Sequence, residues 1–328
     1  MATEHAELRA LVKIAGLFDK RPRYYAYKML LNAGLLILGI AVLFVWDALW
    51  IRLLDAVFLA FVFGQAAYVG HDAGHRQITN SDLGNEFIRV FSSFFIAISR
   101  TWWISAHDEH HKNPNNLGKD PHTRIPLMAF SRDQAQGMGR VARFFIRFQA
   151  YHFIFLMMAE GVGMRTTSVG FLLRSGLGNL KKAEELIIIA LHFGLYFGLI
   201  FSVMSVGQAI LFIIVHQVFF GLYMALVFAP NHKGMLIVDD ETKLDSLRLQ
   251  VLTTRNVKPG FFNDLWYGGL NYQIEHHLFP WMPRCNLGKA RLIVKKYCED
   301  HEIPYCETSS VESWRQILRS LRGVSASV

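Results

Sequence analysis

Residues Leu186–Met204 read LIIIALHFGLYFGLIFSVM, and four residues later Ala209–Ala229 read AILFIIVHQVFFGLYMALVFA. Neither run contains a Lys, Arg, Asp or Glu. A helix needs about 20 apolar residues to cross the hydrocarbon core of a bilayer, so each run is long enough to span it. Two such runs joined by a short link read as a helical hairpin. Towards the N-terminus, Met29–Trp46 and Leu53–Gly70 form a second pair, with Asp55 as its one charged residue. Composition agrees. The chain is 52% hydrophobic and 18% charged, against about 25% charged in an ordinary soluble domain. The expected fold is therefore an all-α integral membrane protein. It would have four transmembrane helices in two hairpins and a cytoplasmic helical cap, all in a single domain over residues 1–328.

The basic residues orient these spans. Residues 1–28 hold 6 Lys and Arg, 47–52 hold 1, 71–185 hold 14 and 232–328 hold 13. The positive-inside rule then puts the segments 1–28, 71–185 and 232–328, and with them both termini, in the cytoplasm. Topology thereby accounts for the net charge of +8 without nucleic acid as a partner. Two further apolar stretches are interrupted: Phe87–Ile104 by Arg89 and Arg100, and Phe144–Met158 by Arg147, Gln149 and His152. They read as interfacial or re-entrant helices on the cytoplasmic face. Cys285, Cys298 and Cys306 are odd in number and lack CxxC spacing, which fits a reducing compartment. About 28 largely polar and basic residues precede the first apolar run, so the N-terminus does not read as a signal peptide.

Seven of the 14 histidines fall in three five-residue windows: HDAGH at His71–His75, HDEHH at His107–His111 and QIEHH at Gln273–His277. Positions i, i+3 and i+4 share one face of a helix, so each window can aim its imidazoles at a common point. Neutral imidazole is the commonest metal ligand. The first window lacks the Glu that directly follows the first His of zinc proteases, Asp72 standing there instead. One tetrahedral zinc ion takes only three or four protein ligands. Seven imidazoles fit a two-metal site better, and nitrogen ligation with open positions suits iron, copper or zinc.

The three boxes, in this order around four spans, resemble those of the membrane fatty acid desaturases. The stretch WYGGLNYQIEHHLFPWMPR at Trp266–Arg284 resembles the third-box region of the front-end group, in which Gln replaces the first His. The resemblance runs over roughly residues 25–300. It implies a non-haem centre of two iron ions, with O2 as co-substrate, that introduces a cis double bond into a lipid- or CoA-linked acyl chain. The ligands it implies are His71, His75, His107, His110, His111, His276 and His277, together with His232 just after the last span. Gln273 would bind metal directly, act through water, or only form a hydrogen bond.

Asp72, Asp108 and Glu275 stand beside these histidines. They are candidates to accept a ligand's second N–H or, equally, simply to make the helices soluble. Trp102 and Trp103 read as an aromatic interface belt or as a wall of the substrate tunnel. Asn115 and Asp120 lie in a segment that also resembles the family, with no role assigned. His192 and His216, inside spans, read as packed and hydrogen-bonded. His152 lies in an interfacial helix, and His5, His122 and His301 read as surface.

Many eukaryotic front-end desaturases carry a fused cytochrome b5 domain with a His-Pro-Gly-Gly haem motif, which is not found in these 328 residues. The expected electron donor is therefore a separate acidic protein docking on the basic face. Ferredoxin with its reductase fits that role, as does a free cytochrome b5, and the expected location is a bacterial inner membrane. Three other readings stay open: a hydroxylase or ketolase of the same superfamily, a membrane zinc hydrolase, and a metal-handling protein without catalysis.

Overall fold

A computed structural model describes residues 3–328, and the chain is 72% helical. The N-terminal helices are α1 (Glu4–Ile14), α2 (Pro22–Val45), α3 (Leu49–Gly74), α4 (Asp82–Ile96) and α5 (Arg100–Lys112). Two short helices follow, α6 (Arg132–Gly137) and α7 (Arg140–Ile146), and then three long ones, α8 (Gln149–Arg174), α9 (Asn179–Val203) and α10 (Val206–His232). The C-terminal part holds α11 (Ser246–Thr253), α12 (Phe261–Trp266), α13 (Gln273–Leu278), α14 (Leu287–Asp300) and α15 (Ser310–Ser325). A two-residue parallel strand pair, β1 (Asn256–Val257) with β2 (Glu307–Thr308), is a small departure from an all-α chain. Among the described residues, α2, α3, α9 and α10 are the four helices long and apolar enough to cross a membrane. All four coincide with the runs read from the sequence and extend them by a few residues at most ends.

The chain divides into two compact units. An apolar unit holds residues 21–105 and 155–226, and a polar unit holds 3–20, 106–154 and 227–328.

In the apolar unit, α2 and α9 leave most of their apolar side chains exposed, Leu30, Ile37, Leu191 and Leu195 among them. A soluble protein rarely exposes continuous apolar surface of this kind, whereas lipid accepts it. The link between α2 and α3 is held by Arg52, which donates to the carbonyls of Trp46 (3.0 Å) and Leu43 (3.5 Å) and pairs with Asp47. It thus satisfies carbonyls at the α2 C-terminus that have no partner within the helix. Helices α8 and α10 meet at Gly221, where a Cβ would lie 2.6 Å from the carbonyl oxygen of Met158.

Both interrupted apolar stretches are broken. Ala97, in the left-handed region at φ 55°, ends α4, and the second stretch is divided between α7 and α8. The first break has its own buried partners. Arg165 donates to the Ile96 carbonyl (3.0 Å) and Ser168 Oγ accepts from Ser99 N (3.2 Å). Ser99 Oγ donates to Glu185 (2.5 Å), and Arg100 pairs with Glu86 and Glu184. These bonds fix the start of α5, the helix that carries the second box.

The polar unit is organised around a core of Leu8, Val12, Leu247, Val251, Ile274, Leu278, Met282, Leu287 and Val294, contributed by α1, α11, α13, α14 and the segment between the last two. Arg255 is fully buried and clamps the end of α10. It donates to the carbonyls of Pro230 (2.7 Å) and Lys233 (2.6 Å) and also bonds Gln316 of α15. Pro230 lacks an N–H and weakens that last turn, and the clamp holds it in place.

Candidate metal centre

The first box ends α3. His71 and Asp72 are buried, with His71 Nδ1 3.0 Å from the Asp72 carboxylate. An imidazole facing a carboxylate donates from that nitrogen, which leaves the Nε2 lone pair outward as a ligand needs. His75 caps the helix, its ring centroid 4.8 Å from that of His71. Trp103 packs edge-on against both imidazoles, at 5.5 and 5.9 Å. That contact needs glycine at position 74, where a Cβ would fall 2.1 Å from the Trp103 ring.

The second and third boxes belong to the polar unit, with His232 at the end of α10. In α5, His107 Nε2 and His111 Nε2 lie 3.1 Å apart. His110 Nε2 lies 3.3 Å from His232 Nε2, and His110, His232 and His277 are all buried with ligand nitrogens within 4.8 Å of one another. His111 stacks on His277 at 4.2 Å, and the His276 ring lies 4.8 Å from that of His111.

The opposite nitrogens explain how these rings are aimed. His110 Nδ1 is 2.9 Å from Asp120, which also accepts from Asn115 N (2.9 Å). Burial alone would raise the Asp120 carboxyl, but the His110 hydrogen bond and nearby positive charge hold it well below the usual carboxylate range. His277 Nδ1 donates to Gln250 Oε1 (2.9 Å), whose amide nitrogen donates to the His111 carbonyl (2.9 Å). His110 and His277 therefore both present Nε2 lone pairs inward. Asn115, at φ 56°, donates to the carbonyls of His232, Leu236 and Thr253 and holds the chain after α10.

The donor set fits a metal. Two nitrogens each about 2.1 Å from one ion lie roughly 3.0 Å apart at a right angle and roughly 3.4 Å apart in a tetrahedron. The Nε2 pairs at 3.1 and 3.3 Å fall in that range. The same separations also allow one N–H to donate to the facing nitrogen when no ion is bound.

The carboxylate candidates divide. Asp72 holds a box histidine, its own chain neighbour. Asp108 does not: it is exposed, because one residue past His107 on a helix turns the side chain off the ligand face. Glu275 bonds Asn256 (2.7 Å) and Tyr305 (2.7 Å) rather than a histidine, and burial pushes its carboxyl up to about 7. Asp120 and Gln250 hold the second nitrogens instead, ten and 27 residues from their histidines, with no signal in local spacing.

The remaining histidines lie outside the three boxes. His122, read as surface, is exposed but stacks on His110 at 4.4 Å. His5 and His301 are half-buried: His5 meets Ser246 at 3.0 Å and His301 stacks on Tyr297. His216 packs as expected, with Tyr196 Oη 2.9 Å from its Nδ1, and His192 stacks on Tyr196.

Comparison with known proteins points the same way. A family model described as fatty acid desaturase matches residues 48–309. The chain belongs to the fatty acid desaturase family. This desaturase is 28% identical to an acyl-lipid (9-3)-desaturase of Physcomitrium patens, over 97% of its own length and 62% of the relative's. It is 28% identical to delta(8)-fatty-acid desaturase 2 of Arabidopsis thaliana, over 99% of the chain and 75% of the relative. It is 30% identical to a delta(8)-fatty-acid desaturase of Euglena gracilis, over 91% and 73%. The relatives are front-end desaturases, the subgroup expected from Gln273. They are eukaryotic, so the expectation of a bacterial membrane gains no support from them.

Proposed function

We propose that this desaturase uses O2 and two electrons to introduce a cis double bond into a lipid- or CoA-linked acyl chain at a centre of two iron ions. The observation that carries the reading is the convergence of buried ring nitrogens from His110, His232 and His277, two of these imidazoles held by Asp120 and Gln250. When bound, iron supplies the O2 chemistry that removes two hydrogens from an unactivated methylene pair, which no acid or base on this chain could start. Substrate, O2, two electrons and two protons yield the alkene and two waters.

His110, His232 and His277 would hold one ion. His107, His111 and His276 are assigned to the centre on the family pattern, with His71 and His75 counted from the first box. Asp120, Gln250 and Asp72 fix the tautomers of His110, His277 and His71. Trp103 keeps the first-box imidazoles packed, and Trp102 is kept as a candidate tunnel wall.

The proposed topology has two hairpins, α2–α3 and α9–α10, with the boxes in a cytoplasmic cap and both termini cytoplasmic. It rests on the single basic residue in the two turns, Arg52. Electrons would come from an acidic carrier, ferredoxin with its reductase or cytochrome b5, docking on the basic face.

Expression in a host poor in desaturases, with donor proteins present, tests the reading by gas chromatography–mass spectrometry of the fatty acids. New unsaturated products are expected. A hydroxylated or keto product would instead select the hydroxylase or ketolase reading. Zinc in place of iron in protein from the native host, with O2-independent activity, would select the hydrolase.

A further inference from the structure

The buried amide of Gln273 faces two different partners. Its Oε1 lies 3.3 Å from Asn231 Nδ2, and its Nε2 lies 2.9 Å from His232 Nε2. Asn231 decides which end is which. Its Nδ2 also donates to the carbonyls of Val227 (3.1 Å) and Leu270 (3.0 Å). Turning Asn231 over would set its oxygen against both carbonyl oxygens. Asn231 is fully buried, so bulk solvent does not reach the group to relieve that repulsion. Asn231 therefore presents its NH2 group to Gln273. A reversed Gln273 would bring two NH2 groups face to face. The N–H of Gln273, and not its oxygen, consequently points to His232 Nε2, the nitrogen that also lies 3.3 Å from His110 Nε2. An amide N–H donates hydrogen bonds and offers no lone pair to a metal.

We propose that Gln273 is a fixed hydrogen-bond donor beside the metal position of His110, His232 and His277 rather than a ligand, and that Asn231 holds it in that orientation. This rests on the metal-centre reading above. A donor at that point favours a small anion in an open coordination position, because hydrogen bonds to charged acceptors are the stronger ones. Asn231, the chain neighbour of His232, is a positioning residue that acts through Gln273.

The test uses the full chain in lipid nanodiscs loaded with Co(II), whose visible bands report both metal binding and azide binding. Gln273→Leu, which removes the donor, is expected to keep the wild-type Co(II) stoichiometry with affinity equal or tighter. Its azide affinity should fall at least about tenfold, the effect of one lost hydrogen bond. Gln273→Glu puts an oxygen at both ends of the side chain and should bind Co(II) more tightly than wild type, because a carboxylate oxygen can ligate a metal. Asn231→Ala should also weaken azide. The double variant Asn231→Ala/Gln273→Leu should lose no more than Gln273→Leu alone, as two residues acting in series require.

Loss of one Co(II) in Gln273→Leu, unchanged azide binding there, or a Glu variant no tighter than wild type would overturn the donor assignment. Additive losses in the double variant would overturn the positioning role of Asn231. If Gln273→Leu fails to fold, the near-isosteric Gln273→Glu carries the same test. A wild-type chain that takes up no Co(II) overturns the metal centre itself, and the proposal with it. Normal uptake with a failed Gln273 series overturns the proposal alone.

Discussion

His216 and His110 are both buried histidines, one in the apolar unit and one in the polar unit, yet their surroundings use them differently. His216 has Tyr196 Oη and Gln217 at its Nδ1, with Phe63 edge-on at 4.8 Å. Nothing around it gathers further imidazoles beyond His192, which stacks on the same tyrosine. His110 has a carboxylate behind it and the nitrogens of His232 and His277 in front. Burial alone thus says little about a histidine. What marks a ligand is an acceptor fixing one nitrogen and other lone pairs meeting the second. The same contrast runs through the two units. Buried polar groups of the apolar unit, such as Arg165 and Glu185, hold backbone at a helix break. Those of the polar unit, such as Asp120, Gln250 and Asn115, hold imidazoles and the chain beside them.

The contrast is most exposed to His110→Ala against His216→Ala. The first should lose iron and reduce product by more than about 100-fold, beyond the range for loss of an outer partner. The second should keep wild-type iron content. Equal iron loss in both, read by elemental analysis of purified protein, would erase the distinction.

Next in size is Asp120→Asn, which should weaken metal binding by about 10–100-fold because His110 loses its charged acceptor. Asp108→Asn, on the exposed face of α5, should leave metal affinity unchanged. A titration with Co(II) compares the two, and a large effect at Asp108 would mean that the helix face has been assigned wrongly.

Gly74→Ala carries the comparison to the first box. The added methyl overlaps the Trp103 ring, and overpacking of this kind costs about 1–3 kcal/mol. A lowered midpoint in thermal unfolding is expected, with Gly74→Ala/Trp103→Leu recovering most of it. An undisturbed midpoint in Gly74→Ala would show that Trp103 moves aside freely.

The smallest effect expected lies away from both sites. Hydrogen bonding to Arg291 depresses the Glu307 carboxyl, more than burial raises it. A depressed folded value means the stabilisation is present above the unfolded carboxylate range of about 4.3 and is lost as pH falls through the folded value. Glu307→Gln should flatten that acid limb of a stability–pH profile by a few tenths of a kcal/mol, as for a partly exposed pair. A profile identical to wild type would remove Glu307 as a contributor.

Much of the fold and site was legible beforehand for identifiable reasons. The four long apolar helices follow from run length and the absence of charge, which depend on nothing beyond the segment itself. Box histidines at helical spacing likewise declare themselves, and Gln273 pointed to the front-end subgroup. Asp108 took the second of its two readings, a solvent-facing residue, because on a helix the residue after His107 faces elsewhere. Glu275, although buried beside two box histidines, is bound to Asn256 and Tyr305 from distant segments, which its place in the chain does not signal.

Sequence by itself determined what is local: apolar length, charge distribution, helix period and the inventory of imidazoles. Tertiary structure alone decided which nitrogen of each imidazole is held and by what. The partners that hold His110, His277 and Gln273 are Asp120, Gln250 and Asn231, lying ten, 27 and 42 residues away. A hydrogen bond has a reach of about 3 Å and a direction, and only the folded chain brings such distant residues within that reach.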